Sequence, residues 1–222
     1  MPGTFITFEG IDGSGKSTQL RLLSNFLRAH RCDAVITREP GGTALGLRLR
    51  EALLDALEEV DPLTELLVFA ADRAQHVNRM LLPALESGAV VISDRYADAT
   101  VAYQGAGRGF PPELITQIVQ LATGGLKPDL TLLFDVSIEE STTRTTRRSS
   151  GKNAATKAGR DRLDIEDAEF HTRVRHAYLR IAEAEPERIK VIDTTGPVER
   201  THERVKQIIV QFLQSRGHLA NV

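Results

Sequence analysis

The sequence predicts an α/β fold: three layers, α/β/α, with a five-stranded parallel sheet flanked by helices. Three observations predict it. Five short runs rich in Val, Ile, Leu and Phe recur along the 222 residues. Each run is nearly continuous in hydrophobicity rather than alternating, as expected of parallel strands covered on both faces. Stretches with apolar residues at helical spacing separate them. Strand–helix alternation of this kind builds a doubly wound sheet, and ligands of such sheets bind beyond the carboxyl ends of the strands.

Taken in order, residues Thr4 to Glu9 form the first predicted strand. A helix over Ser17 to His30 follows, with Leu20, Leu23 and Leu27 on one stripe. Ala34 to Thr37, Ala89 to Asp94, Leu130 to Val136 and Ile189 to Asp193 are the remaining strands. The last helix places Val205, Ile208, Ile209 and Phe212 on one stripe. One segment departs from the pattern. Ser149 to Gly159, SSGKNAATKAG, is small and polar and cannot bury much surface, which predicts a mobile surface loop. The stretch before it, STTRTTRRSS, is rich in residues unfavourable to helix. With no internal repeat, residues 1–222 read as one domain carrying a lid over about residues 144–163.

Composition narrows the function classes. The chain is 41% hydrophobic and 26% charged, which excludes global disorder. A formal net charge of -2 argues against a protein that coats nucleic acid. Cys32 is the sole cysteine, so no disulfide framework can form, which suits a reducing compartment. No run approaches the ~20 apolar residues of a membrane helix, and the N-terminus has no basic region followed by an apolar one. The expectation is a soluble cytoplasmic protein with neither membrane nor nucleic acid as partner.

The chemistry begins where the first strand ends. Gly10-Ile11-Asp12-Gly13-Ser14-Gly15-Lys16-Ser17 fits G-x-x-x-x-G-K-[ST] between an apolar strand and an amphipathic helix, with Thr18 next in line. The glycines let backbone N–H groups converge on phosphates, and the helix N-terminus adds partial positive charge. Lys16 can reach the β and γ phosphates of a nucleoside triphosphate, and the Ser17 hydroxyl can ligate Mg²⁺. The third strand ends in Asp94, whose carboxylate can share that metal, and Arg95 can face an acceptor phosphate. No Asn-Lys-x-Asp occurs, which excludes a GTPase of the usual guanine-reading type. A small kinase acting on nucleoside monophosphates remains. A nucleotide-binding protein without transfer activity is the rival from another class, and the intact Lys16, Ser17, Asp94 and Arg95 argue against it.

FEGIDGSGKSTQ, TREPGGT (37–43), FAADRAQH (69–76), SDRYADATVAYQGAGRG (93–109), KPDLTLLFDV (127–136) and RLDIED (162–167) occur in this order. In these segments the sequence resembles the bacterial thymidylate kinases over nearly its whole length. The resemblance implies transfer of the γ-phosphate of ATP, with Mg²⁺, to dTMP, and a homodimer. Another small P-loop nucleotide or nucleoside kinase is the alternative.

Phe69 and Arg73, four apart on a predicted helix, face one side, where a ring and a guanidinium suit a flat base. The resemblance assigns that base as thymine. Thr100 and Gln104 form a second such pair, and a Gln amide matches a pyrimidine edge. The resemblance further implies that Tyr103 packs on the deoxyribose. It implies that the turn at Glu39 and Pro40, joined by a cis peptide, lies over the acceptor. It also puts Arg50 on the acceptor phosphate, with Arg48 two residues away in the alignment. Asp12 matches the acidic loop position of relatives that carry their charge-stabilising arginines in the lid. Arg144, Arg148, Arg160 and Arg162 are the candidates here, Arg148 and Arg162 the best matches. The six histidines, His30, His76, His171, His176, His202 and His218, show no metal-ligand spacing, and none reads as catalytic.

Overall fold

A computed structural model of the chain describes residues 3–54, 59–149, 163 and 166–220. Five parallel strands form one sheet: β1 (Thr4–Glu9), β2 (Ala34–Arg38), β3 (Val90–Asp94), β4 (Leu130–Asp135) and β5 (Ile189–Asp193). Their order across the sheet is β2-β3-β1-β4-β5. β1 is central and buried along its whole length, so its continuous apolar character follows from cover on both faces. It pairs β3 on one side and β4 on the other, with Phe8 opposite both Asp94 and Leu132. The loop leaving β1 therefore emerges where the winding reverses, the crevice in which such sheets bind ligands.

Helices α1 (Lys16–Ala29), α2 (Ala44–Leu54), α3 (Pro62–His76) and α4 (Leu82–Glu86) precede β3. The short α5 (Ala97–Thr100) and α6 (Pro112–Thr123) lie between β3 and β4. Between β4 and β5 come α7 (Ile138–Ser149) and α8 (Ala168–Ala184), and α9 (Val198–Ser215) closes the chain. Leu20, Leu23 and Leu27 of α1 and Val205, Ile209 and Leu213 of α9 bury against Ile6 and Phe8 on one face. Leu213 completes the α9 stripe, and Ile208 and Phe212 flank it half-buried. On the other face α8 covers Leu133 through Val174, Ala177 and Tyr178.

Local chemistry accounts for the helix ends nearest the cleft. Asp61 caps α3, its carboxylate accepting from the N–H groups of Leu63 and Thr64, with Pro62 in the first turn. Asp167 of the RLDIED run caps α8 through Phe170 N at 2.7 Å. The Thr-rich run before the predicted lid is helical in α7 despite its composition. The hydroxyls of Thr142, Thr143 and Thr145 donate to the carbonyls of Ile138, Glu139 and Ser141, and Ser137 Oγ accepts from Glu140 N. These side chains bond within the helix instead of competing with it.

Two stretches widen to π-helix, Val77–Leu81 and Val101–Gly107. The second carries Tyr103 and Gln104, so its side chains do not follow the α-helical spacing that the sequence suggests. It lies close under α8: a Cβ on Gly107 would sit 2.6 Å from the Phe170 ring. Of the predicted lid, residues 150–162 lie outside the described residues, as do Arg160, Arg162 and the side chain of Arg148. No helix among the described residues is long and apolar enough to cross a membrane.

Candidate active site

A cleft of about 650 Å³ opens at the carboxyl end of the sheet. The phosphate loop forms one wall. Lys16 Nζ donates to the carbonyls of Gly10 at 2.8 Å and Ile11 at 2.9 Å, which fixes its ammonium beneath the loop. Burial, reinforced by the neighbouring positive charge of Arg95, pulls the Lys16 pKa below the usual lysine range. An anion entering the cleft would reverse that effect. Gly13 and Gly15 have φ of 73° and 94°, left-handed values that glycine adopts without strain. Ser17 Oγ donates to Asp94 Oδ2 at 3.2 Å, so the two predicted metal residues meet. Thr18 lines the same wall.

Arg95 lines the cleft beside the phosphate loop. Its φ of 72° is left-handed, a conformation costing an arginine roughly 1–2 kcal/mol. The turn is held by Arg95 N donating to Phe8 O at 2.9 Å and Tyr96 N donating to Glu9 Oε1 at 2.7 Å. The guanidinium donates to Gly10 O at 3.0 Å and to Asp12 Oδ1 at 2.8 Å, and lies 5.0 Å over the Tyr103 ring. Asp12 also accepts from Tyr103 OH at 3.4 Å. Asp12 thus holds Arg95 and Tyr103 in place.

The rest of the cleft lining includes residues of the β2–α2 turn, α3 and the second π segment. Glu39–Pro40 is cis, as the resemblance implies. Arg73, fully buried but for its cleft face, donates to Glu39 Oε2 at 2.8 Å, Thr100 Oγ1 at 2.7 Å and the Tyr96 carbonyl at 2.9 Å. Gln104 Nε2 donates to Glu65 Oε1 at 2.8 Å, and Arg108 closes on both oxygens of Glu65. Phe69, half-buried, lines the cleft beside Arg73. Arg50 lines it as well and donates to Pro40 O at 3.3 Å, whereas Arg48 is exposed and lies outside it.

Several residues of the site carry no local signal in the sequence. Glu9, wholly buried, accepts from Tyr178 OH at 2.8 Å as well as from Tyr96 N. Burial, with the nearby charge of Asp98, pushes its pKa up to about 8. Asp72 is raised to about 6 by burial and by Glu39, although Gly41 N donates to it at 3.1 Å. Arg38, Thr194, Gly196, Val198 and Thr201 also line the cleft. The Thr-Thr-Gly-Pro turn after β5 was a usable sign, because it too lies at a strand's carboxyl end. Of the four lid arginines, Arg144 alone has a described side chain. Its guanidinium donates to Gly13 O at 3.3 Å and Thr194 O at 2.7 Å, bridging the phosphate loop and that turn. Ser141 Oγ donates to Asp12 O at 2.6 Å, so α7 rests directly on the loop.

The chain is similar to known proteins over nearly its whole length. The family model described as thymidylate kinase matches residues 8–205. The chain is 50% identical over 196 residues to a thymidylate kinase of Desulfosudis oleivorans, covering 87% of this chain and 90% of that one. It is 45% identical over 216 residues to a thymidylate kinase of Deinococcus radiodurans, covering 97% and 98%. The crystal structure of thymidylate kinase from Ehrlichia chaffeensis superposes with a TM-score of 0.75 at 34% identity, over 95% of this chain and all of that one.

Proposed function

The chain belongs to the thymidylate kinase family, and from that premise we propose that it transfers the γ-phosphate of ATP to dTMP, giving dTDP and ADP for dTTP synthesis. The observation that carries the reading is the continuity of the cleft. Lys16, Ser17, Phe69, Arg73, Arg95 and Gln104 all line it. The reaction is in-line displacement. The dTMP phosphate oxygen attacks the γ-phosphorus, the bond to the ADP oxygen breaks, and no side chain acts as nucleophile.

Each residue then has a task. Backbone N–H groups of residues 10–18 and the Lys16 ammonium hold the phosphates of ATP. Arg95 and Arg50 hold the acceptor phosphate, and Asp12 keeps Arg95 aimed. Phe69 stacks on thymine, and Arg73 offers it the donors that Glu39, Thr100 and Tyr96 leave over. Gln104 meets the pyrimidine edge, and Tyr103 lies along the sugar. Arg144, with Arg148 and Arg162, supplies charge to the transferring oxygens. Mg²⁺ is the metal the donors suit. Ser17 and Asp94 are hard oxygen donors already in contact, and no cluster of three metal-ligating side chains exists among the described residues. A metal carried mainly by phosphate and water fits that set, neutralising phosphate charge when bound. The chain acts as one domain with a lid over about residues 144–163. The lone Cys32, which permits no disulfide within the chain, supports a cytoplasmic location. A homodimer is supported by the exposed Leu63 and Leu67 along α3 and Leu121 on α6.

A coupled ADP-release assay with Mg²⁺·ATP tests the reading against the thymidine, uridine, cytidine, adenosine and guanosine monophosphates, their deoxy forms, and free thymidine. A clear preference for dTMP is expected. Preference for another monophosphate would keep the phosphate-site roles and remove those of Phe69, Arg73, Thr100 and Gln104.

A further inference from the structure

One face of α3 backs the acceptor turn with three buried polar residues. Asp72 binds Gly41 N, Arg73 binds Glu39 Oε2, and His76 binds Glu39 Oε1, Nδ1 to oxygen at 2.8 Å. The other ring nitrogen of His76 lies 2.8 Å from Thr37 Oγ1. His76 is completely buried and is not among the residues lining the cleft. Its ring also fills the space under the turn, since a Cβ on Gly42 would sit 2.4 Å from Nε2.

These contacts form a chain that ends at the substrate. Each Glu39 oxygen has a separate partner, so the carboxylate cannot rotate without breaking one of two short bonds. Arg73 has five N–H donors and commits three to Glu39, Thr100 and Tyr96. The direction of the remaining donors depends on where the Glu39 carboxylate stands. We infer that His76 is a positioning residue for the acceptor: its Nδ1 proton, donated to Glu39 Oε1, holds the carboxylate at the angle that aims Arg73 into the base pocket. Nε2 then accepts from the Thr37 hydroxyl. The inference rests on the proposed role of Arg73 at the thymine ring.

Two substitutions separate the nitrogens. An Asn amide reaches the position of Nδ1, and a Gln amide that of Nε2. KM for dTMP, KM for ATP, kcat, the dTMP-to-dCMP ratio of kcat/KM and the melting temperature are measured for the wild type, His76→Asn and His76→Gln. His76→Gln is expected to raise KM for dTMP by about 10–100-fold, the effect of one hydrogen bond to a charged group. It should also lower discrimination against dCMP and leave KM for ATP within about two-fold. His76→Asn should keep KM for dTMP within about three-fold of wild type even where it lowers the melting temperature. Equal KM changes in both variants, or a melting-temperature loss with KM for dTMP unmoved in both, would overturn the inference. Absence of dTMP turnover by the wild type would overturn the acceptor assignment and this inference with it, which distinguishes the two failures.

Discussion

Gly13→Ala should damage the phosphate loop twice, and the two effects can be measured apart. Gly13 has φ of 73°, where an L-residue with a Cβ is strained by roughly 1–2 kcal/mol. The added Cβ would also lie 2.7 Å from the carbonyl oxygen of Ser141 and 3.2 Å from both Ser141 Cα and Thr145 Cγ2. The nearest of these atoms belong to backbone, so α7 must shift as a body, and overpacking of this kind costs about 1–3 kcal/mol. Gly109 provides the control. Its φ is 81°, but a Cβ there meets nothing within 4 Å. Gly109→Ala should therefore show the backbone strain alone. Urea unfolding should place Gly13→Ala about 1–3 kcal/mol below Gly109→Ala. Because α7 carries Ser141 and Arg144 onto the loop, KM for ATP should rise about ten-fold or more in Gly13→Ala and stay unchanged in Gly109→Ala. Equal stability of the two variants, with KM for ATP at wild-type level in both, would refute the claim that α7 is seated on the loop.

Two further predictions use the same site. Lys16→Ala and Arg95→Ala should each lower kcat by roughly 10²–10³-fold or more while circular dichroism shows an intact fold, since on the proposed function each removes a cation that stabilises phosphate charge; near-normal turnover in either would remove its proposed role. Glu9→Gln should flatten the pH dependence of stability. The folded-state pKa of Glu9, about 8, lies above its ordinary 4.5, so the folded chain keeps a proton that the unfolded chain releases. This contribution is full below about pH 4.5 and is lost as pH rises through about 8, at about 1.4 kcal/mol for each pH unit between those values. Urea unfolding from pH 5.5 to 8.5 should show a declining stability in the wild type and a shallower slope in Glu9→Gln, and identical slopes would show that Glu9 titrates in the ordinary range.

The strands were legible to within a residue at each end, because burial on both faces leaves a continuous apolar run with few alternatives. The phosphate loop was legible because its chemistry is local: eight consecutive residues carry the glycines, the lysine and the hydroxyl. Phe69 and Arg73 line the cleft on one helix, as their spacing indicated. What escaped was the polar framework behind these groups. Glu9 and Tyr178 are 169 residues apart, and Glu65 and Arg108 are 43 apart. In sequence such residues cannot be told from solvated surface charges, since their partners are chosen by the fold. The π segment at Val101–Gly107 escaped for a different reason: an extra residue per turn disturbs the periodicity by which helices are read. Arg144 was a candidate, but one arginine among several in a basic run offers no means of ranking. Its place emerges only from the turn after β5 that it reaches.

The Gly10 carbonyl accepts from both Lys16 Nζ and Arg95 Nη1. The cation proposed to serve the nucleotide and the cation proposed to serve the acceptor are thus referenced to one backbone atom just beyond the central strand. Their separation works as a ruler set where the central strand ends, with Asp12 and the Tyr103 ring of the π segment steadying Arg95. On the proposed roles, altering Phe69, Thr100 or Gln104 changes which base is admitted while the Gly10 contacts of Lys16 and Arg95 are kept. On those roles, acceptor preference can diverge among descendants while the transfer step is inherited intact.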